Sequence, residues 1–167
     1  DYSGPMYIRL GKGYDPIVSK DELGFEIGKA IPIRTGKDVL IVCTGVALQV
    51  VLDASDELAD LGIEATVLHV HTVKPLDIEA ILQYATNVAA IVTVEEHAII
   101  GGLGSAVAEV LCEADLHGTR PFRRIGIPDM FADEYGSQKS LMARFGLSAG
   151  EVSGVVNQLL GRTDTTN

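Results

Sequence analysis

Apolar positions along this chain switch repeatedly between two periods. Residues 38–44 read DVLIVCT, the continuous apolar run that a strand needs when layers cover both of its faces. From residue 46 the spacing becomes three and four. Val46, Val50, Ala54 and Leu58, with Ala47, Val51 and Leu61, line one side, while Gln49, Asp53, Asp56, Glu57 and Asp60 take the other. This predicts an amphipathic helix ended by Gly62. The alternation then repeats: 65–70 (ATVLHV) as a strand, and Asp77 as the N-cap of a helix through Tyr84. Residues 87–94 are the next strand, 95–104 a polar, glycine-rich turn, and 105–113 a helix with Val107, Val110 and Leu111 inward. A last strand at 123–127 precedes two closing helices, 137–145 and 148–160, separated by Gly146. Upstream, 25–34 contains Pro32, which belongs on an edge strand, and the turn at 35–37 is expected to fold it against the strand that follows. Strands alternating with helices specify an α/β fold of three αβα layers. Its sheet is mostly parallel, with about five strands and one antiparallel edge strand.

The first residues do not fit that alternation. Residues 5–8 (PMYI) are apolar and extended in character, and Arg9-Leu10-Gly11-Lys12-Gly13 follows. Such a strand needs neighbours, so together with the missing initiator methionine it reads as the end of a preceding unit. Gly11, Gly13, Pro16 and the charged stretch 19–22 form a linker. The expected organisation is therefore 1–20 as that end and linker, 21–160 as one domain, and 161–167 as a frayed tail.

Composition narrows the function classes. A chain of 167 residues can build a core without disulfide or metal staples. Thirteen basic against 23 acidic residues give a net charge of −10, which disfavours nucleic acid and anionic membrane as partners but leaves room for a local basic site. Cys43 and Cys112 both lie in apolar patterns and read as small hydrophobes. No apolar run of spanning length and no signal sequence is present, so a soluble cytoplasmic protein is expected.

In open parallel sheets the ligand crevice lies beyond the carboxyl ends of the strands, which directs attention to 44–45, 71–75, 95–105 and 128–136. His69 and His71 share a face, but a metal needs further ligands, so packing within the layers is the preferred reading. Glu95, Glu96 and His97 set two carboxylates beside an imidazole. They suit acid–base chemistry, and they suit equally a role in fixing the turn or pairing across a subunit interface. Gly101, Gly102, Gly104 and Ser105 expose backbone N–H groups at a helix start that can cradle an anion. The run matches neither GxGxxG nor a Walker motif, so tight helix packing is preferred for it. Arg9 and Lys12 are better candidates for phosphate. Arg120, Arg123 and Arg124 fall at the start of a strand, away from the crevice, and are expected to be solvated or paired.

Residues 4–12 (GPMYIRLGK) resemble the segment that closes the pyrimidine-binding domain of the transketolase family. DVLIVCTG at 38–45, TVKPLD at 72–77, VEEHAIIGGLGSAVAE at 94–109, and GIPD at 126–129 with Phe131 and Gly136 resemble that family's C-terminal domain, in order. The resemblance implies a thiamine diphosphate enzyme moving a two-carbon unit between sugar phosphates, or the related 1-deoxy-D-xylulose-5-phosphate synthase or 2-oxo acid dehydrogenase β-type chemistry. In that family the diphosphate and Mg are bound by an N-terminal domain and the aminopyrimidine by the middle domain. The chain has no counterpart of the GDG motif followed by Asn, so alone it is expected to bind no thiamine diphosphate and to turn nothing over. The implied partners are the missing domains or a subunit carrying them, in a homodimer that this domain stabilises. Arg9 resembles the residue that grips the substrate phosphate, with Lys12 as a weaker companion; no catalytic residue is implied. The contrasting expectation is a stand-alone regulatory module in which the turn at 101–105 accepts a nucleotide or another anion.

Overall fold

A computed structural model describes residues 3–11, 17–18, 21–116, 118–131 and 135–162. Lys12 lies outside the described residues. Strand β2 (Val39–Cys43) is fully buried along its length, because Val39, Ile41 and Cys43 face one helical layer while Leu40 and Val42 face the other. Burying each such valine or leucine contributes about 1.5–3 kcal/mol, so the uninterrupted apolar run fixes this strand at the centre. It lies between β3 (Ala65–His69) and β4 (Ala90–Ala98), parallel to both. Strand β5 (Phe122–Ile127) continues the parallel sheet beyond β4, and β1 (Ile31–Arg34) closes the other side antiparallel to β3. The order is β1-β3-β2-β4-β5.

This is the predicted α/β architecture with one antiparallel edge strand. The expected pairing of β1 with the strand after it is wrong, however. Both ladders of β2 are taken by parallel neighbours, so β1 crosses to the open side of β3 and becomes the edge strand, the position in a sheet that tolerates Pro32.

Helix α1 (Ala47–Asp60) packs on one face of the sheet with α4 (Gln138–Arg144) and α5 (Ala149–Leu159), which contribute Met142, Val152 and Val156. The buried side of α1 is Ala47, Leu48, Val51, Ala54, Ser55 and Leu58. Val46 and Val50 are only partly buried, and Leu61 is 55% exposed, because the helix has ended before it and Gly62 turns the chain at φ +70°. On the opposite face α2 (Ile78–Ala85) and α3 (Leu103–Glu113) bury Ile81, Ala85, Leu103, Val107, Val110 and Leu111. Asp77 caps α2 as expected, accepting from Ala80 N at 3.2 Å. Its other oxygen accepts from Ala30 N at 2.9 Å, which ties the approach to β1 to the start of α2.

Residues 3–11 take no regular secondary structure, and Tyr7, Ile8 and Leu10 are exposed. No helix among the described residues is long and apolar enough to cross a membrane. Cys43 is buried as read from sequence, whereas Cys112 is exposed: Val110 and Leu111 occupy the inward side of α3 and the next position turns to solvent.

Candidate functional site

The polar run at the end of β4 is strand and not turn. After the Val94↔Ile125 pair the register shifts, and β4 continues through Glu95, Glu96 and His97 as an irregular, bulge-like stretch before pairing with β5 resumes at Ala98↔Ile127. Alternation sends Glu95 to the α3 face, where its side chain is fully buried. Its Oε2 accepts from Leu103 N at 2.7 Å and its Oε1 from Gly104 N at 2.8 Å. Helix α3 has no capping side chain of its own, since Gly102 stands at its N-cap. Glu95 therefore supplies from eight and nine residues upstream both the acceptor and the negative charge that a helix N-terminus favours.

The glycines make that contact possible. A Cβ on Gly102 would overlap Glu95 Oε2, and one on Gly104 would come within 2.6 Å of Thr93 Oγ1. Ser105 Oγ accepts from Gly101 N at 3.0 Å, donates to Ile99 O at 3.1 Å, and accepts from Arg124 Nη1 at 3.0 Å. The amides of Gly101, Leu103 and Gly104 thus have partners inside the chain. Arg124 also donates to Ile99 O at 2.7 Å, so it reaches the glycine turn instead of lying away from the crevice. Arg120 is paired as expected, with the carbonyls of Val88 and Thr86.

Beside this capped helix start, the chain brings Arg9 to the same strand end. Arg9 Nη2 donates to Glu96 Oε2 at 3.1 Å, and Nη1 donates to Glu96 O at 3.3 Å and to His97 Nε2 at 2.8 Å. The other oxygen of Glu96 accepts from Gln138 Nε2, in the first turn of α4, at 2.9 Å. With Nε2 accepting, the His97 ring proton sits on Nδ1, 3.8 Å from Glu95 Oε2. Burial lowers the His97 pKa and the Arg9 charge lowers it further, while Glu95 and Glu96 oppose them, so the neutral acceptor form is favoured. The Arg9 side chain is 46% exposed and Glu96 14%. Of the residues named from sequence, Arg9, Glu95, Glu96 and His97 meet here. Gln138 was missed, since 42 residues separate it from Glu96 and no local pattern marks the pair.

His69 and His71 also share a face, with ring centroids 5.9 Å apart, and Phe25 lies 4.3 Å from His71. Neither nitrogen of the buried His69 has a hydrogen-bond partner among the described residues, and burial with some help from His71 lowers its pKa to about 4. The pair packs as the preferred reading had it. Among the described residues, no group of three His, Cys, Asp or Glu is placed to hold a metal ion.

Comparison with known proteins places this arrangement. A family profile described as "Transketolase, C-terminal domain" matches residues 28–152. The chain belongs to the transketolase C-terminal domain family. It is 42% identical over 161 residues to a 6-deoxy-6-sulfo-D-fructose transketolase subunit of Clostridium sp. (strain MSTE9), covering 96% of this chain and 49% of that protein. It is 39% identical over 154 residues to 1-deoxy-D-xylulose-5-phosphate synthase of Trichormus variabilis (strain ATCC 29413 / PCC 7937), covering 90% of this chain and 24% of the synthase. A solved structure titled as a split gene transketolase, inactive beta4 tetramer, superposes with a TM-score of 0.86 at 38% identity over 96% of this chain and 51% of its own. The chain thus spans about half of the subunit-type relative and about a quarter of the synthase. As a transketolase C-terminal domain it is part of a transketolase-type enzyme family, and its three-layer sheet is that family's fold.

Proposed function

We propose that this chain is the C-terminal portion of a thiamine diphosphate-dependent transferase of the transketolase type that moves a two-carbon unit between sugar phosphates. Within it, residues 1–20 end the pyrimidine-binding domain and 21–160 form the C-terminal domain. The reading is carried by the match over 96% of the chain to a transketolase subunit of which it spans 49%. A split-subunit arrangement accords with that coverage, and the tetramer named for the structural relative accords with assembly through such subunits. Homodimerisation through this domain and a cytoplasmic location belong to the same reading.

The residues present do not fit a diphosphate–magnesium site. The described residues offer no metal-ligand cluster, and the amides of Leu103 and Gly104, which a diphosphate would need at the start of α3, already hold Glu95. Cofactor binding is therefore assigned to domains or a subunit outside this chain, and the chain alone is expected to be inactive.

Arg9 is the substrate-phosphate residue in this reading, with Lys12 as its companion. A partly exposed guanidinium at a strand end suits bidentate contact with a phosphate. In the complete enzyme, Arg9→Ala is expected to lower kcat/KM for a phosphorylated sugar roughly a hundredfold, the loss of two charge-assisted hydrogen bonds. An unchanged value removes Arg9 from this role.

A further inference from the structure

We propose that Glu96, held in turn by Gln138, is the positioning residue that aims Arg9 at the phosphate of a sugar-phosphate substrate. The proposal rests on the reading of Arg9 given above. It gives this domain a part in substrate selection through the aim of Arg9.

The geometry distinguishes an aimed arginine from a neutralised one. A guanidinium has five N–H donors, and the bonds to Glu96 Oε2, Glu96 O and His97 Nε2 use three of them. Counting partners among the described residues, two remain, the number a bidentate phosphate contact requires. All three acceptors belong to one strand, β4, and two of them are fixed further: Glu96 by Gln138, and Glu96 O by the backbone. A long side chain that loses its rotamer freedom before substrate arrives loses less on binding, which raises affinity without a new contact. Glu96 is only 14% exposed and both of its oxygens are committed, so it does not swing toward solvent with Arg9. Three parts of the chain meet at this point: the segment before the domain, the end of β4 and the first turn of α4.

The test uses the complete enzyme and the ratio of kcat/KM for a sugar phosphate to that for the same sugar without phosphate. Glu96→Ala is expected to lower this ratio roughly tenfold, the effect of mispositioning a charge-assisted contact. Gln138→Ala, an exposed substitution that carries the test should Glu96→Ala fold poorly, is expected to lower it about threefold by the same reasoning. In an Arg9→Ala background neither change lowers the ratio further, since nothing remains to be aimed. An equal loss for both sugars indicates a structural role and overturns the proposal. A rise in the ratio does so too, because Glu96 would then compete with phosphate. If Arg9→Ala lowers the ratio and Glu96→Ala and Gln138→Ala do not, positioning fails while the phosphate reading of Arg9 stands. If Arg9→Ala leaves the ratio unchanged, the phosphate reading fails and the proposal falls with it.

Discussion

At the carboxyl end of β3, His69 is buried with no hydrogen-bond partner among the described residues for either ring nitrogen, and His71 lies against it and Phe25. At the carboxyl end of β4, both oxygens of Glu95, both oxygens of Glu96 and the Nε2 of His97 have partners. Both ends carry imidazoles in a lowered-pKa state, with burial the first cause in each. The difference lies in what surrounds them. The β3 imidazoles pack as neutral rings, with His71 Nδ1 meeting its chain neighbour Thr72 Oγ1 at 2.8 Å, whereas the β4 groups bind a helix start, a distant arginine and a neighbouring helix into one polar network. Burial alone therefore does not separate the two ends; partners that arrive from several elements do.

The network is broken most severely at Glu95. Glu95→Ala strips the charged acceptor from the buried amides of Leu103 and Gly104 and leaves a void beside Gly102, for an expected loss on the order of 3–5 kcal/mol. Glu95→Gln keeps the shape and one acceptor, and should lose about half as much. Urea unfolding with an unchanged m-value measures both. A loss below about 1 kcal/mol for the alanine would mean that α3 does not depend on this cap.

His69 offers the opposite kind of perturbation, by protonation. Its native pKa of about 4 lies below the ordinary 6.5, so the unfolded chain takes up the proton first. The stability held by the neutral ring is complete above pH 6.5, declines as the pH falls from there to about 4, and is lost below. The full effect is about 3 kcal/mol. It is measured as the difference between the pH dependence of unfolding in the native sequence and in His69→Leu. Identical slopes between pH 6.5 and 4 would show that the ring titrates as it does in water.

These two strand ends also differ in how much of them was legible. The β3 packing reading followed from too few ligands for a metal. The layers followed as directly, because runs such as 39–43 bury both faces. The end of β4 was hidden for two reasons. Polar residues after Val94 resemble a turn, yet ladder pairing to Ile127 carries them on as strand. Arg9 and Glu96 are 87 residues apart, beyond any periodicity. Nor could the cap be read: the sequence starts this helix at Ser105, and only the observed start after Gly102, together with the burial of Glu95, shows that its acceptor comes from β4.

The smallest expected effect probes whether the β3 end is set by burial alone. Phe25 is 72% exposed, and its ring covers His71 at 4.3 Å with planes tilted by 31°. Removing it forfeits one aromatic contact, so Phe25→Ala should cost no more than about 1 kcal/mol. The informative change is electrostatic. Burial is the first cause of the lowered His71 pKa, and the Lys29 backbone pulls the other way. Uncovering the ring weakens the first and leaves the second, so the His71 pKa should rise toward 6.5. His97, at the carboxyl end of β4 with β2 between it and β3, and against Arg9, should not follow. A titration of the imidazole C–H resonances separates the two. A fixed or falling His71 value would mean that charge, and not loss of water, holds this ring neutral, and the contrast between the two strand ends would have to be redrawn on charge alone.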